Sequence, residues 1–301
     1  MVNWKKVREF VLITLLISYG LAFLFFALGG RLNTAGGTIM AVIYMFIPMT
    51  VAMVIQKRIY KLPIRELGIS WHFNRWFFVG WFLPPAIAFA AMGVSLLLPG
   101  IEFSPNMSGF FERFQEFLKP EDIELMHEQM AQMPMHPLWL ALIQGLIAGA
   151  TINAVAGFGE ELGWRGFLMK ELTPLGFWKM SGFIGLIWGI WHAPLIMYGH
   201  NYPEHPLAGV FMMIIWCLLL TPIFIYITQK SHSVIAAAIM HGTLNATVGI
   251  AYMMIKGGSD LVIGVTGAAG FIVLAIVDLI IFLVLKQKQR FTPGADNYAT
   301  D

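Results

Sequence analysis

The stretch from Leu207 to Thr228 reads LAGVFMMIIWCLLLTPIFIYIT and contains no charged side chain. Roughly 20 apolar residues in a helix are enough to cross the ~30 Å hydrocarbon core of a bilayer. The whole chain is 58% hydrophobic and 12% charged, with a mean hydropathy of +0.72, whereas soluble domains are about 45–50% apolar and about 25% charged. Lipid is therefore the main solvent of this chain, and its formal net charge of +2 indicates no nucleic-acid partner.

Other stretches of similar length and hydrophobicity occur along the sequence. Including the stretch quoted above, the predicted spans are Phe10–Leu28, Thr38–Ile55, Trp76–Leu98, Pro137–Phe158, Ser181–Met197, Leu207–Thr228, Val234–Met254 and Val262–Leu285. We therefore predict an all-α fold, a polytopic membrane bundle of about eight transmembrane helices. We expect residues 1–301 to form a single transmembrane domain.

Lysine and arginine are concentrated in alternate connections between these spans. The basic segments contain Lys5, Lys6, Arg8, Lys57, Arg58, Lys61, Arg65, Arg75, Arg165, Lys170, Lys179, Lys286, Lys288 and Arg290. The loop 99–136 is acidic instead. Because basic loops stay on the cytoplasmic side, we expect an integral protein of a prokaryotic cell membrane with both termini in the cytoplasm.

A charged segment, residues 159–166 (GEELGWRG), follows the fourth span directly. On a continuing helix Glu161 and Arg165 are four residues apart, lie on one face and can pair. Glu160 is rotated by about 100° from Glu161, so its carboxylate stays available for acid–base chemistry. The alternative is an ordinary charged helix end in the interface.

Two further spans carry imidazoles, and ionisable groups inside a membrane are expensive enough to suggest function. Trp188 and His192 lie one helical turn apart in the fifth span, and His241 and Asn245 lie one turn apart in the seventh. Packing residues and an interhelical hydrogen-bonding pair are the alternatives. Counted from the cytoplasmic ends, these groups and Glu160 are expected to meet at one level in the cytoplasmic half.

The three motifs together resemble the CPBP family of intramembrane proteases, the CAAX protease and bacteriocin-processing family that includes Ras-converting-enzyme-like CAAX prenyl endopeptidases. The resemblance rests on Glu160-Glu161-x-x-x-Arg165, Trp188-x-x-x-His192 and His241-x-x-x-Asn245 in this order. It implies that residues 137–254 form the catalytic core helices. Phenylalanine commonly opens the second motif in that family, whereas this chain has Trp188 and retains an aromatic ring there.

The resemblance implies an intramembrane endopeptidase without a cofactor, acting on a hydrophobic or lipidated peptide among membrane lipids. Glu160, helped by His192, would activate a water for attack on the scissile carbonyl. His241 and Asn245 would stabilise the oxyanion. Glu161 and Arg165 would support the glutamate segment. A conical cavity would open to the cytoplasm and to lateral lipid.

Three other functions remain open from the residues alone. Glu160, His192 and His241 could form a two-histidine, one-carboxylate zinc set in a zinc-dependent membrane protease. Buried glutamate and histidine could relay protons in a proton-coupled transporter, although the sequence contains no internal repeat that would favour one. A bacteriocin-immunity or scaffold protein could also use these helices to bind a partner.

Overall fold

The computed structural model describes residues 1–114 and 120–291 of the chain. The larger helices are α1 (Trp4–Ala27), α2 (Ala35–Met53), α3 (Arg75–Ser95), α4 (Ser108–Phe114), α5 (Pro120–Gln132), α6 (Pro137–Ala150), α7 (Ile152–Glu161), α8 (Met169–Leu172), α9 (Phe177–Met197), α10 (Pro206–Ser231), α11 (Val234–Thr247), α12 (Ile250–Met253) and α13 (Ala268–Phe291). Wider π-helical turns, Val54–Ile59 and Leu162–Leu168, extend α2 and α7, and short 3-10 turns cover Ile64–Leu67 and Thr173–Leu175. Two-residue strands, β1 (Glu102–Phe103) and β2 (Ile255–Lys256), pair antiparallel.

Seven helices in the described part of the chain are long and apolar enough to cross a membrane. They are Trp4–Ala27, Ala35–Ile59, Arg75–Ser95, Phe177–Met197, Pro206–Ser231, Val234–Met253 and Ala268–Gln287. An eighth span results if Pro137–Ala150 and Ile152–Leu175 are counted together, with a bend of 50° between them. The prediction of an all-α bundle of about eight spans is confirmed, and the chain is an integral membrane protein.

The fourth span was predicted as Pro137–Phe158, and its observed course is different. It bends at Thr151, whose φ of −119° and ψ of −98° are not helical, and it continues through the charged segment as far as Leu175. Charged residues 160, 161 and 165 are buried because they pair with each other and with neighbouring helices. The helix therefore does not have to end where its polar residues begin.

The last span also begins later than predicted. Residues 262–267 form turns instead of the first helical turns, and Ala268 and Ala269 donate backbone hydrogen bonds to the carbonyls of Leu261 and Val262. Glycines at 264 and 267 are close to surrounding atoms in this turn. The predicted edge at Val262 was wrong by about two helical turns.

The helices alternate in direction, so their connections form two separate faces. We call residues 1–8, 60–74, 170–179, 229–233 and 286–291 the basic face. Its loops contact each other, since Val234 donates to the carbonyl of Gly68 and the Asn74 amide donates to the carbonyl of Ser231. We call residues 28–34, 96–114, 120–136, 198–205 and 254–267 the acidic face. There the Tyr202 hydroxyl donates to the carbonyl of Thr266.

Candidate active site

Glycines on one side of the charged segment set the direction of its carboxylates. A Cβ added at Gly159 would lie 2.7 Å from the Met45 carbonyl oxygen, and one at Gly163 would lie 2.6 Å from Pro48. Only residues without side chains allow this segment to contact the backbone of α2 so closely. Glu160 and Glu161 are thereby turned away from α2, toward α9 and α11.

We call the contact between α7 and α11 the seam; the two helices approach each other there as closely as the charged segment approaches α2. A Cβ at Gly242 would lie 2.4 Å from the Ala154 nitrogen and from the Gly149 oxygen, and a Cβ at Gly157 would lie 3.0 Å from the His241 Cβ. Small residues let membrane helices approach each other in this way. This packing brings His241 to the carboxylates of α7.

Glu161, Arg165 and His241 form one buried polar group. Oε1 of Glu161 accepts from Nη1 of Arg165 at 2.9 Å, which confirms the predicted pair, and it also accepts from Nδ1 of His241 at 2.8 Å. The guanidinium lies 4.3 Å from the ring centres of both Trp188 and Phe224. The charged pair is 0% and 1% exposed, so its attraction is little screened by solvent.

Glu160 lies on the other side of the His241 ring. Its Oε2 accepts a hydrogen bond from Nε1 of Trp188 at 2.8 Å, and its Oε1 lies 3.7 Å from Nε2 of His241. Only 2% of Glu160 is exposed. Phenylalanine is common at this position in the family that the motifs resemble. The indole of Trp188 donates a hydrogen bond to Glu160 that a phenyl ring cannot donate.

His192 is fixed by its own helix. Its Nδ1 lies 2.8 Å from the carbonyl oxygen of Trp188, one turn earlier, and the two rings are 5.6 Å apart. A carbonyl oxygen only accepts, so Nδ1 carries the proton and Nε2 of the neutral ring has a free lone pair. This lone pair allows His192 to accept a hydrogen bond from a water.

A cavity of about 250 Å³ joins these groups. Glu160, Trp188, His192, His241 and Asn245 all line it, so the structure brings the sequence-predicted side chains to one space. Asn245 is exposed. Further residues that were not predicted complete the wall, namely Trp191 of α9 and, from α2 and α10, Ala41, Tyr44, Met45, Met213 and Trp216.

The cavity extends toward the acidic face, on the opposite side of the bundle from the N-terminus. Leu32, His200, Asn201 and Thr266 line the same space, and all four lie on the acidic face. Below Glu160 every residue from Leu162 to Leu168 is buried. Span four continues to Leu175, which puts Glu160 about 20 Å from the basic face, and His192 lies about 8 Å from the end of α9 at Met197. The opening of the cavity to the cytoplasm stays a prediction.

A zinc ion in a protein is held by several ligand atoms that lie close to one another. Among the residues that the structure describes, the three potential ligands gathered within 4.8 Å of one another are Glu204, His205 and Asp260 on the acidic face. There Asp260 already accepts from His205 and from the Glu204 backbone. The ligand atoms of Glu160, His192 and His241 are not gathered to that distance, so this arrangement does not fit a zinc ion as it stands.

Comparison with known proteins finds a family model that matches the region of this site. Residues 134–247 match the family model described as type II CAAX prenyl endopeptidase Rce1-like. CAAX prenyl protease 2 of Methanococcus maripaludis is 33% identical to this chain over 96 residues, which cover 29% of this chain and 34% of that relative. The chain thus matches about a third of the length of that curated relative. The matched residues 134–247 contain every motif of the cavity, so the similarity to this family lies in the part of the chain that forms the site.

Proposed function

We propose that this protein is an intramembrane endopeptidase whose general base is Glu160. The observation that carries the proposal is the convergence of the Glu160 carboxylate and the His241 ring, 3.7 Å apart, on a cavity that His192 and Asn245 also line. The family match and the printed name of the relative support a peptide bond as the target. Residues 137–254 would carry the catalytic core.

The reaction begins with a water held between Glu160 and His192. Glu160 takes a proton from this water as its oxygen attacks the scissile carbonyl. A tetrahedral intermediate forms, with negative charge on the former carbonyl oxygen. Glu160 then gives the proton to the departing amine, the C–N bond breaks, and a carboxylic acid and an amine are released. The Trp188 indole keeps the carboxylate in place throughout.

His241 and Asn245 would stabilise the oxyanion. Because the Glu161 carboxylate and Arg165 are already paired, Glu161 acts as acceptor and Nδ1 of His241 must donate to it. Nε2 of His241 can therefore donate to the oxyanion only when the ring carries both protons. Such a positive ring would lie between the Glu160 and Glu161 carboxylates. The Asn245 amide donates without any change of charge.

The substrate class follows from the cavity lining. Leu195, Met213, Trp216, Leu244 and Val248 make the walls largely apolar, which suits a hydrophobic or lipidated peptide segment taken from among membrane lipids. The relative's name refers to a prenylated CAAX substrate. A bacteriocin leader or another hydrophobic peptide would meet the same walls, and a role in bacteriocin immunity would use the same reaction.

A cleavage assay in detergent tests the proposal. Purified full-length protein is incubated with a library of hydrophobic and prenylated peptides, and products are identified by mass spectrometry. Glu160→Gln keeps the size of the side chain and its acceptor oxygen for Trp188 but removes the basic carboxylate, so cleavage should fall to background while the protein elutes as a folded species. Cleavage by Glu160→Gln at the normal rate would assign the base to another residue.

A further inference from the structure

A proline lies inside α9, two residues after His192. Because Pro194 has no backbone N–H, the carbonyl of Ile190, four residues earlier, lacks its usual helical donor. The helix nevertheless continues to Met197. An unsatisfied carbonyl is costly within a membrane, where lipid tails cannot donate hydrogen bonds. The donor for Ile190 therefore has to come from another part of the bundle.

Two tyrosines from neighbouring helices donate to this turn of α9. The hydroxyl of Tyr19, on α1, donates to the carbonyl of Ile190 at 2.6 Å. The hydroxyl of Tyr44, on α2, donates to the next carbonyl, that of Trp191, at 2.7 Å. The residue that follows these two carbonyls is His192. The backbone that carries the imidazole is thus held by side chains of α1 and α2.

Trp191 extends these contacts to the imidazole itself. Its Nε1 donates to the Ser18 hydroxyl at 2.8 Å, and its ring lies 4.5 Å from the Tyr44 ring and 4.8 Å from the His192 ring. Tyr44 and Trp191 line the cavity, whereas Tyr19 lies behind the lining. A substitution at Tyr19 therefore changes the support of His192 without changing the wall that a peptide would touch.

Taken with the proposed proteolysis, on which this inference rests, we propose that Tyr19 and Tyr44 are positioning residues for His192. The Tyr19 hydroxyl replaces the donor that Pro194 lacks, and the Tyr44 hydroxyl holds the carbonyl beside it. A bond within one helix is thereby exchanged for a bond between helices. The place of the imidazole beside the water of Glu160 is then set by α1 and α2, and neither hydroxyl takes part in proton transfer.

Removal of one hydroxyl tests the proposal. Tyr19→Phe retains the ring, and purified full-length protein is assayed for peptide cleavage in detergent. We expect kcat to fall by about fivefold or more, because a small displacement of a reacting group is costly. KM should change by less than about twofold, since His192 contacts the water and not the peptide. Tyr60→Phe is the control, because it removes a hydroxyl that donates to Glu9 on the basic face. An unchanged kcat in Tyr19→Phe, or an equal loss in both variants, overturns the proposal.

A second substitution separates positioning from a general loss of packing. Pro194→Ala restores the backbone N–H that can donate to the carbonyl of Ile190. In the Pro194→Ala background, Tyr19→Phe should therefore lower kcat by less than about twofold, although it lowers kcat about fivefold in the wild-type background. Loss of kcat by the same factor in both backgrounds contradicts the role assigned to the Tyr19 hydroxyl.

Hydrogen exchange gives a measurement that does not require activity. Amide exchange in peptides that cover residues 188–197 should be about threefold or more faster in Tyr19→Phe than in the wild type. It should be unchanged in Tyr60→Phe, and the difference should disappear in the Pro194→Ala background. Exchange decides the outcome if Pro194→Ala has no measurable activity. If Tyr19→Phe does not fold, Tyr44→Phe is compared with the wild type by the same rates and the same exchange.

The two proposals fail in different ways. A wild-type chain that cleaves no peptide but shows the expected exchange pattern refutes the protease proposal alone. A wild-type chain that cleaves peptides, with neither a loss of kcat nor faster exchange in Tyr19→Phe, refutes the positioning role alone.

Discussion

Nδ1 of His241 and Oε1 of Glu161 lie 2.8 Å apart, and the same carboxylate oxygen accepts from Arg165. One buried carboxylate thus fixes both a ring and a guanidinium that belong to different helical segments. The arrangement ties the protonation pattern of His241 to the integrity of an ion pair that does not face the cavity. In the proposed mechanism, Glu161 and Arg165 act through His241 and Trp188 as positioning residues.

Removal of the guanidinium tests this support. Arg165→Ala leaves Glu161 charged and without its strongest partner in a buried setting, and breaking a buried pair in this way costs about 3–5 kcal/mol. We expect a sharp loss of folded protein, measured as the monodisperse fraction in size-exclusion chromatography. Lys170→Ala breaks an exposed pair with Glu66, and should leave the folded yield nearly unchanged. Similar losses in both variants would show that burial of the Arg165 pair is unimportant.

The indole bond to Glu160 makes a second prediction. Trp188→Phe retains a ring but removes the donor at 2.8 Å, and a hydrogen bond to a charged group contributes about 1.5–3 kcal/mol. We expect kcat to fall by about tenfold or more. Trp164→Phe is the control, because its Nε1 is buried with no hydrogen-bond partner among the described residues. Rates are compared per folded molecule, and an equal loss of kcat in both variants would contradict a specific role for the Trp188 indole.

The seam between α7 and α11 makes a third prediction. Gly242→Ala would place a Cβ 2.4 Å from backbone atoms of α7 and of the α6 end, so the two helices must separate. A misplacement of about 1 Å can cost about 100-fold in rate, and we expect a loss of that order with the protein still folded. Gly182→Ala, in α9, has nothing within 4 Å of the added Cβ. That control should keep full activity; a fully active Gly242→Ala would mean that the site tolerates separation of the seam.

Chelation gives a fourth prediction. The proposed reaction uses the Glu160 carboxylate to activate water, so cleavage should survive exhaustive treatment with EDTA and with 1,10-phenanthroline. The measurement is the initial rate before and after treatment, with total metal determined by mass spectrometry. Loss of activity that returns on addition of zinc would replace this mechanism by the zinc alternative with Glu160, His192 and His241 as ligands.

Local geometry explains which parts were predictable from sequence. The Glu161–Arg165 pair follows from helical spacing alone, and the fifth span ends at Met197 as its hydrophobicity indicates. The positions of the motifs on successive spans also predict that their side chains can meet. These features depend on neighbours in sequence or on the length of an apolar run.

Features that depend on tertiary contacts were not predictable. Residues 159–166 look like a helix end because they are charged, yet Arg165, Glu161 and His241 satisfy one another and let the helix continue within the bundle. That difference puts Glu160 further from the end of its span than the sequence predicted. The place of Tyr44 in the cavity wall was not predictable either, because Tyr44 is held there by a hydrogen bond to the carbonyl of Trp191 on another helix.

A membrane protein that admits water to its interior could short-circuit the ion gradients across that membrane. Here the cavity beside Glu160 is closed on the side of the basic face, because the turn from Leu162 to Leu168 is packed with tryptophan, phenylalanine and leucine. The proposed hydrolysis would therefore leave the barrier of the membrane to ions intact.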